Sequence, residues 1–144
     1  LIPLWNVITS KTSYDHAGQP DKEGKRRVFS TLEILKPNEI CTETYIICGS
    51  FKTEKECINL LSYLKTKFTR FLVSQLSFSQ DITKERFAFV PTQDFSEPWT
   101  DEKLYKKYGL TEEEIAFIES MIRPMDLTTV EESAEYSAED GDDE

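Results

Sequence analysis

The sequence predicts an α+β fold: a small twisted sheet, mixed or antiparallel, packed by one long amphipathic helix, with two further helices toward the C-terminus. Three observations carry this expectation. The first 50 residues hold three short runs rich in β-branched and aromatic residues, separated by turn-forming stretches. From Thr53 onward the apolar residues switch to a helical period. Beyond Trp99, two short segments each open on a threonine followed by acids, the signature of a helix start.

Taken in order, "LWNVIT" (4–9) has strand composition. "SKTSYDHAGQPDKEGKRRV" (10–28) has two glycines, a proline and almost nothing to bury, so it reads as a loop. "RVFSTLEIL" (27–35) alternates Val28, Ser30, Leu32 and Ile34 against Phe29, Thr31, Glu33 and Leu35, which predicts a second strand. "KPNE" (36–39) supplies a turn, and "TETYIICGS" (42–50) a third strand. Thr53 with Glu56 makes a capping box. Cys57, Leu60, Leu61, Leu64, Phe68, Phe71 and Leu72 then share one helical face, predicting a single helix over 53–72. Lys52, Lys55, Lys65, Lys67 and Arg70 are expected on its solvated side.

A second polar stretch follows, "SQLSFSQDITKERF" (74–87), and "FAFVP" (87–91) reads as a short strand. Pro91 and Pro98 bracket a loop next to Trp99. "DEKLYKKY" begins after Thr100 with acids first and lysines last, as the helix dipole favours, and Gly109 ends it. Thr111 and Glu114 form another capping box ahead of Ile115, Ile118, Met121 and Ile122, and Pro124 stops that helix. The organisation expected is one folded unit, 1–126, and an acidic low-complexity tail, 127–144, that composition predicts to be disordered.

Composition narrows the function classes. Apolar residues make up 38 % of the 144 and aromatics 12 %, which suits a folded chain. No apolar run approaches the roughly 18 residues of a membrane span. The chain opens at Leu1 directly into a strand-like run, and it reads as a piece of a longer protein. The cysteines, Cys41, Cys48 and Cys57, are odd in number and lack CxxC spacing, and there is one histidine. That is too few soft ligands for zinc, and it points to reduced thiols in a cytoplasmic protein. The net charge of −10 is unevenly spread. Residues 1–90 carry 13 Lys+Arg and 10 Asp+Glu, a net of +3, while residues 91–144 carry 4 and 17, a net of −13. A surface facing a polyanion therefore belongs in the first 90 residues.

No catalytic constellation emerges. The glycines at 18, 24, 49, 109 and 141 are too scattered for a phosphate loop. His16 is the only histidine, so a His-based triad would hang on a loop. Asp21, Glu23 and Lys25 contain the pieces of a metal-dependent nuclease signature, but they lack the paired strands that would converge two carboxylates on one cation. The expectation is no catalytic residue, no metal ligand and no cofactor in this piece.

What remains is binding. The two polar loops each carry cations for phosphates and side chains that fit base edges. Lys11, Lys22, Lys25 and Lys84 suit phosphates. Arg26, Arg27 and Arg86 also suit guanine, Gln19 and Gln80 suit adenine, and Ser79 suits either base; the basic tip Lys22–Arg27 is expected on phosphates, with Tyr14, His16 and Gln19 nearer the bases. Tyr14 is able to pack on a sugar or base, with His16 beside it. These twelve residues are the expected contacts to double-stranded DNA.

The stretches "CTETYIICGSF" (41–51), "LLSYLKTKFTRFLVSQLSFSQDITKERFAFVP" (60–91) and "DFSEPWTDEKLYKKYGLTEEEIAFIESMIRPM" (94–125) resemble the C-terminal region of bacterial restriction–modification proteins of the adenine-specific DNA methyltransferase type. The likeness covers about residues 1–125 and leaves out the acidic tail. It implies a target-recognition region that follows a catalytic domain in a parent N6-adenine methyltransferase or combined restriction–modification enzyme. The S-adenosylmethionine (SAM) of that family belongs to the parent's catalytic domain. This chain has neither the Pro-Pro-aromatic motif that grips a flipped adenine nor a Gly-rich SAM loop, so the family's catalytic residues have no counterpart here. The implied partners are duplex DNA and the methyltransferase or endonuclease domain of the same parent.

Two other readings compete. One is a protein–protein module of a restriction–modification complex, using the helices over 101–122 with Trp99 and Tyr105 exposed. The other is a nuclease fragment on Asp21, Glu23 and Lys25. The tail is expected to be an inert solubilising end rather than a competitor for the basic loops.

Overall fold

The computed structural model describes residues 3–12, 22–75, 82, 84–88 and 90–125. The elements run β1 (Trp5–Ser10), β2 (Leu32–Leu35), β3 (Tyr45–Phe51), α1 (Glu54–Lys65), α2 (Lys67–Ser74), a 3-10 helix (Lys84–Phe87), α3 (Asp101–Lys107) and α4 (Glu112–Met121). The class is α+β, as the switch of period predicts. The sheet is antiparallel throughout, with strand order β2-β1-β3.

β1 sits in the middle because it is the strand with least to show water: Asn6, Val7, Ile8 and Thr9 are all buried. Val7 pairs with Ile34 of β2 on one side and with Gly49 of β3 on the other. The next residue, Ile8, pairs with Ile47, so Cys48 is the extra residue of a bulge. α1 lies across the strands. A Cβ on Gly49 would stand 2.6 Å from the Leu60 side chain, so glycine there lets α1 approach β3. Val7, Phe29, Leu61, Leu64, Trp99, Leu104 and Ile122 belong to one core that joins sheet and helices.

Three expected elements differ from the structure. The run 27–35 is a strand only over Leu32–Leu35. Upstream, Val28 has φ 76°, and the Phe29 N–H reaches the Arg27 carbonyl at 3.0 Å. That closes a three-residue turn around a β-branched residue in the left-handed region, a strained geometry no alternation rule foresees. The helix expected over 53–72 is two helices, broken at Thr66. Thr66 has ψ 152°, which ends α1, and its side chain accepts from the Thr69 N–H to start α2. Its hydroxyl also lies 2.7 Å from the Tyr63 carbonyl left over at the end of α1. The Asp101 carboxylate supplies a second cap, accepting from the Lys67 N–H at 3.1 Å and the Phe68 N–H at 2.9 Å. The strand expected over 87–91 is absent from its described residues: Phe87 closes the 3-10 helix, and Val90 and Pro91 are irregular.

The remaining helix starts match their sequence signals. Thr100 caps α3, and Thr111 with Glu114 forms a complete capping box on α4. At Thr53 the hydroxyl accepts from the Glu56 N–H at 3.3 Å and donates to the Glu56 carboxylate at 2.8 Å, tying both to the first turn of α1. Trp99 and Tyr105 are not the exposed face expected of them. They are 8 % and 9 % exposed, because the indole N–H is tied to the Asp94 carbonyl at 2.9 Å and α3 turns Tyr105 inward. The tail 127–144 lies outside the described residues. Among the described residues no helix is long and apolar enough to cross a membrane.

Candidate nucleic-acid interface

The two polar stretches are far apart in sequence, and the sheet brings their roots together. The first leaves the end of β1. There the Lys11 N–H donates to the Thr44 carbonyl at 2.8 Å, and the Lys11 carbonyl accepts from the backbone N–H of Ile82, in the middle of the second stretch. The Ser30 hydroxyl donates to the Thr12 carbonyl at 2.9 Å, pinning the outgoing arm of the first loop to its returning arm. Phe29, where the first loop comes back, stacks on Phe87, where the second comes back, with ring centroids 6.2 Å apart. The described ends of both stretches thus meet at one corner of the fold.

The returning arm of the first loop is clamped. The Arg26 N–H donates to the Met121 carbonyl at 2.8 Å, and the Arg123 N–H donates to the Arg26 carbonyl at 2.7 Å, a short parallel bridge to the end of α4. One step on, buried Arg70 donates from Nη1 to the Arg27 carbonyl at 3.3 Å, while its Nε reaches the Lys65 and Thr66 carbonyls at 3.0 and 3.3 Å. Arg70 therefore couples the break between α1 and α2 to the strained turn at Val28. This is a structural role, not the solvated one expected of it. Lys65 is buried as well.

The expected contact residues separate into three groups. Lys11 and Lys22 are exposed, and Lys25 and Arg26 are partly so, all along the first loop. Arg27 and Arg86 are each 3 % exposed. Arg27 donates from Nε to the Phe29 carbonyl at 3.0 Å, and Arg86 from Nε to the Val73 carbonyl at 3.3 Å. Their guanidiniums are turned inward onto backbone carbonyls, which corrects the outward, DNA-contacting role expected of them. Tyr14, His16, Gln19, Ser79 and Gln80 lie outside the described residues, as does Asp21 of the nuclease-like trio, and Lys84 is described only as the first residue of the 3-10 helix. Sequence reasoning missed Thr12, Ser30 and Arg70 as the residues that root the loops. Their partners are distant in the chain, and no local pattern signals them.

A separate cleft of about 660 Å³ opens between the outer edge of β3, α1 and the segment 90–95. Its polar wall is a chain of bonds. Gln93 donates to the Tyr108 hydroxyl at 2.7 Å and to the Tyr63 hydroxyl at 3.4 Å, and it accepts from Lys107 Nζ. The Tyr63 hydroxyl donates to the Pro91 carbonyl at 2.7 Å, and burial raises its pKa above the ordinary tyrosine value. Cys48, at the bulge, has its thiol pushed up to about 12 by burial, so it stays a neutral wall residue at physiological pH. These groups satisfy one another, and the wall reads as a brace for the 90–95 segment.

No protein-family model, curated protein or solved structure matches the chain.

Proposed function

We propose that this chain is the sequence-reading, target-recognition region of a restriction–modification enzyme, holding duplex DNA for a methyltransferase or endonuclease domain elsewhere in the parent. The observation that carries the reading is the meeting of the roots of the two polar loops at one corner, through the Lys11–Ile82 backbone bond and the Phe29–Phe87 stack. Reading a DNA site takes several side chains presented side by side on a rigid base. The resemblance of 41–51, 60–91 and 94–125 to such regions points the same way. Lys11 and Lys22 stand exposed on the first loop to meet phosphates. Buried Arg27 and Arg86 hold the frame and leave contact to the exposed cations and the loop tips.

The test is selection of the 144-residue chain against a pool of randomised duplexes, followed by salt titration of the winners. An enriched short motif with a steep salt dependence is the expected result. Binding without enrichment restricts the chain to gripping phosphates, and no binding removes the reading for the isolated chain.

A further inference from the structure

On the helical side of the fold, α2 and α4 enclose an apolar groove of about 400 Å³. Phe71, Leu72 and Leu110 line it, and Phe117 stands over it, meeting Phe71 edge-on with ring centroids 5.8 Å apart. Phe117 is 56 % exposed, the most exposed aromatic among the described residues. A phenyl ring left half in water beside an open apolar groove is a feature of binding surfaces. Its charged wall is Glu113 and Glu114. Glu113 lies four residues before Phe117 and Glu114 three, so on α4 both acids share the face of the ring, one turn toward its N-terminus.

The charges decide what fits. The Glu114 carboxylate accepts from the Thr111 N–H at 2.8 Å, and no described cation pairs with either acid. Lys67 of α2 is committed to Glu119 of α4 at 3.5 Å. The chain's own C-terminal segment is a poor occupant, because 8 of its last 14 residues are acidic. A second copy is disfavoured in the same way, because it too carries a net charge of −10, with a net of −13 in residues 91–144. We infer that the α2–α4 groove is a docking site for an amphipathic helix of a partner protein, whose apolar residues cover Phe117 and whose flanking Lys or Arg residues pair with Glu113 and Glu114. α4 spans 10 residues, a length that accommodates about three turns of an incoming helix. α2 and α4 also clamp the returning arm of the first loop through Arg70 and Met121, but the groove is lined by other residues, and it stands or falls separately from the DNA-reading proposal.

The probe is a synthetic helical peptide of about three turns, with leucines at i, i+3, i+4 and i+7 and lysines on both flanks. Its control carries glutamates in place of the lysines. Both are titrated into the isotope-labelled full chain, with backbone amide shifts as the readout. The lysine peptide is expected to bind about tenfold or more tighter than its twin and to shift amides of α2 and α4. Phe117→Ala and, separately, Glu113→Gln are expected to weaken it by about tenfold and about threefold, with the amide spectrum of the folded chain retained. Equal binding of the two peptides, indifference to Phe117→Ala, or shifts confined to 126–144 would overturn the inference. So would a concentration-dependent dimer that protects the α4 amides, which would assign the groove to a second copy.

Discussion

Asp101→Ala tests the double cap that starts α2. The Asp101 carboxylate accepts two backbone N–H groups, Lys67 at 3.1 Å and Phe68 at 2.9 Å, from a position in the first turn of α3. Hydrogen bonds to an ionised acceptor contribute about 1.5–3 kcal/mol each when shielded from water. Asp101 is only partly buried, so water replaces part of each bond, and about 1 kcal/mol apiece is the better figure. The carboxylate also faces the positive end of α3, which adds a few tenths. The expected loss is about 2 kcal/mol for Asp101→Ala, and about half of that for Asp101→Asn, which keeps one acceptor oxygen. Urea unfolding, followed by the fluorescence of Trp5 and buried Trp99, reads this directly. With a urea slope of about 2 kcal/mol per molar, the midpoint falls by about 1 M at unchanged slope. Glu102→Ala, an exposed neighbour on the same turn, is expected to stay within about 0.5 kcal/mol of the parent chain. A midpoint for Asp101→Ala within about 0.2 M of the parent's would refute the second cap, and with it the account of why the helix breaks at Thr66.

Lys11→Ala with Lys22→Ala, in one chain, should lower the slope of log affinity against log salt by about 2 for the selected duplex and leave unfolding unchanged; an unaltered slope would remove these lysines from the phosphate path. Arg27→Ala should do the reverse and cost about 2 kcal/mol of stability, because it strips a buried donor from the Phe29 carbonyl. Burial, helped by Glu56 and Glu54, raises the Cys57 thiol from 9.0 to about 11. Above pH 9 the unfolded chain then releases that proton before the folded one does, so this contribution to stability is full below about 9 and is lost as pH rises through about 11; Cys57→Ala should flatten that decline in urea titrations.

The elements legible in the sequence are those whose cause is local. β1, β3, α3 and α4 follow from period and composition, and the threonine caps from side chains that bond their own first turn. The break at Thr66 is different. Leu60, Leu61, Leu64, Phe68 and Phe71 keep a helical period straight through it, and the partner that makes a second start favourable, Asp101, is 33 residues beyond Phe68. The alternation through 27–31 likewise predicts strand, but the Arg27 carbonyl is claimed by Phe29 and Arg70 instead of a ladder partner. The charged residues of the candidate site were the least legible. Lys11 and Arg27 both look like surface cations in sequence, and only burial separates the one that faces water from the one that holds a turn.

That separation bears on how the corner proposed to read DNA can vary. Its roots are mostly backbone bonds: Lys11 to Thr44, Ile82 to Lys11, Arg26 to Met121 and Arg123 to Arg26. Backbone donors and acceptors are the same for every residue except proline, so exchanging the exposed side chains of Lys11 or Lys22 leaves these bonds intact. The side chains that do hold the frame, Arg27, Arg70 and Arg86, are buried and donate to backbone carbonyls, Arg27 within its own turn and the other two across segments. A guanidinium suits that task because its donors stay charged and fan out in one plane, so Arg70 reaches three carbonyls at once. Lysine at position 70 would keep the charge and lose the fan. Arg70→Lys should therefore destabilise the chain nearly as much as Arg70→Met, a result opposite to that for a cation whose only role is charge.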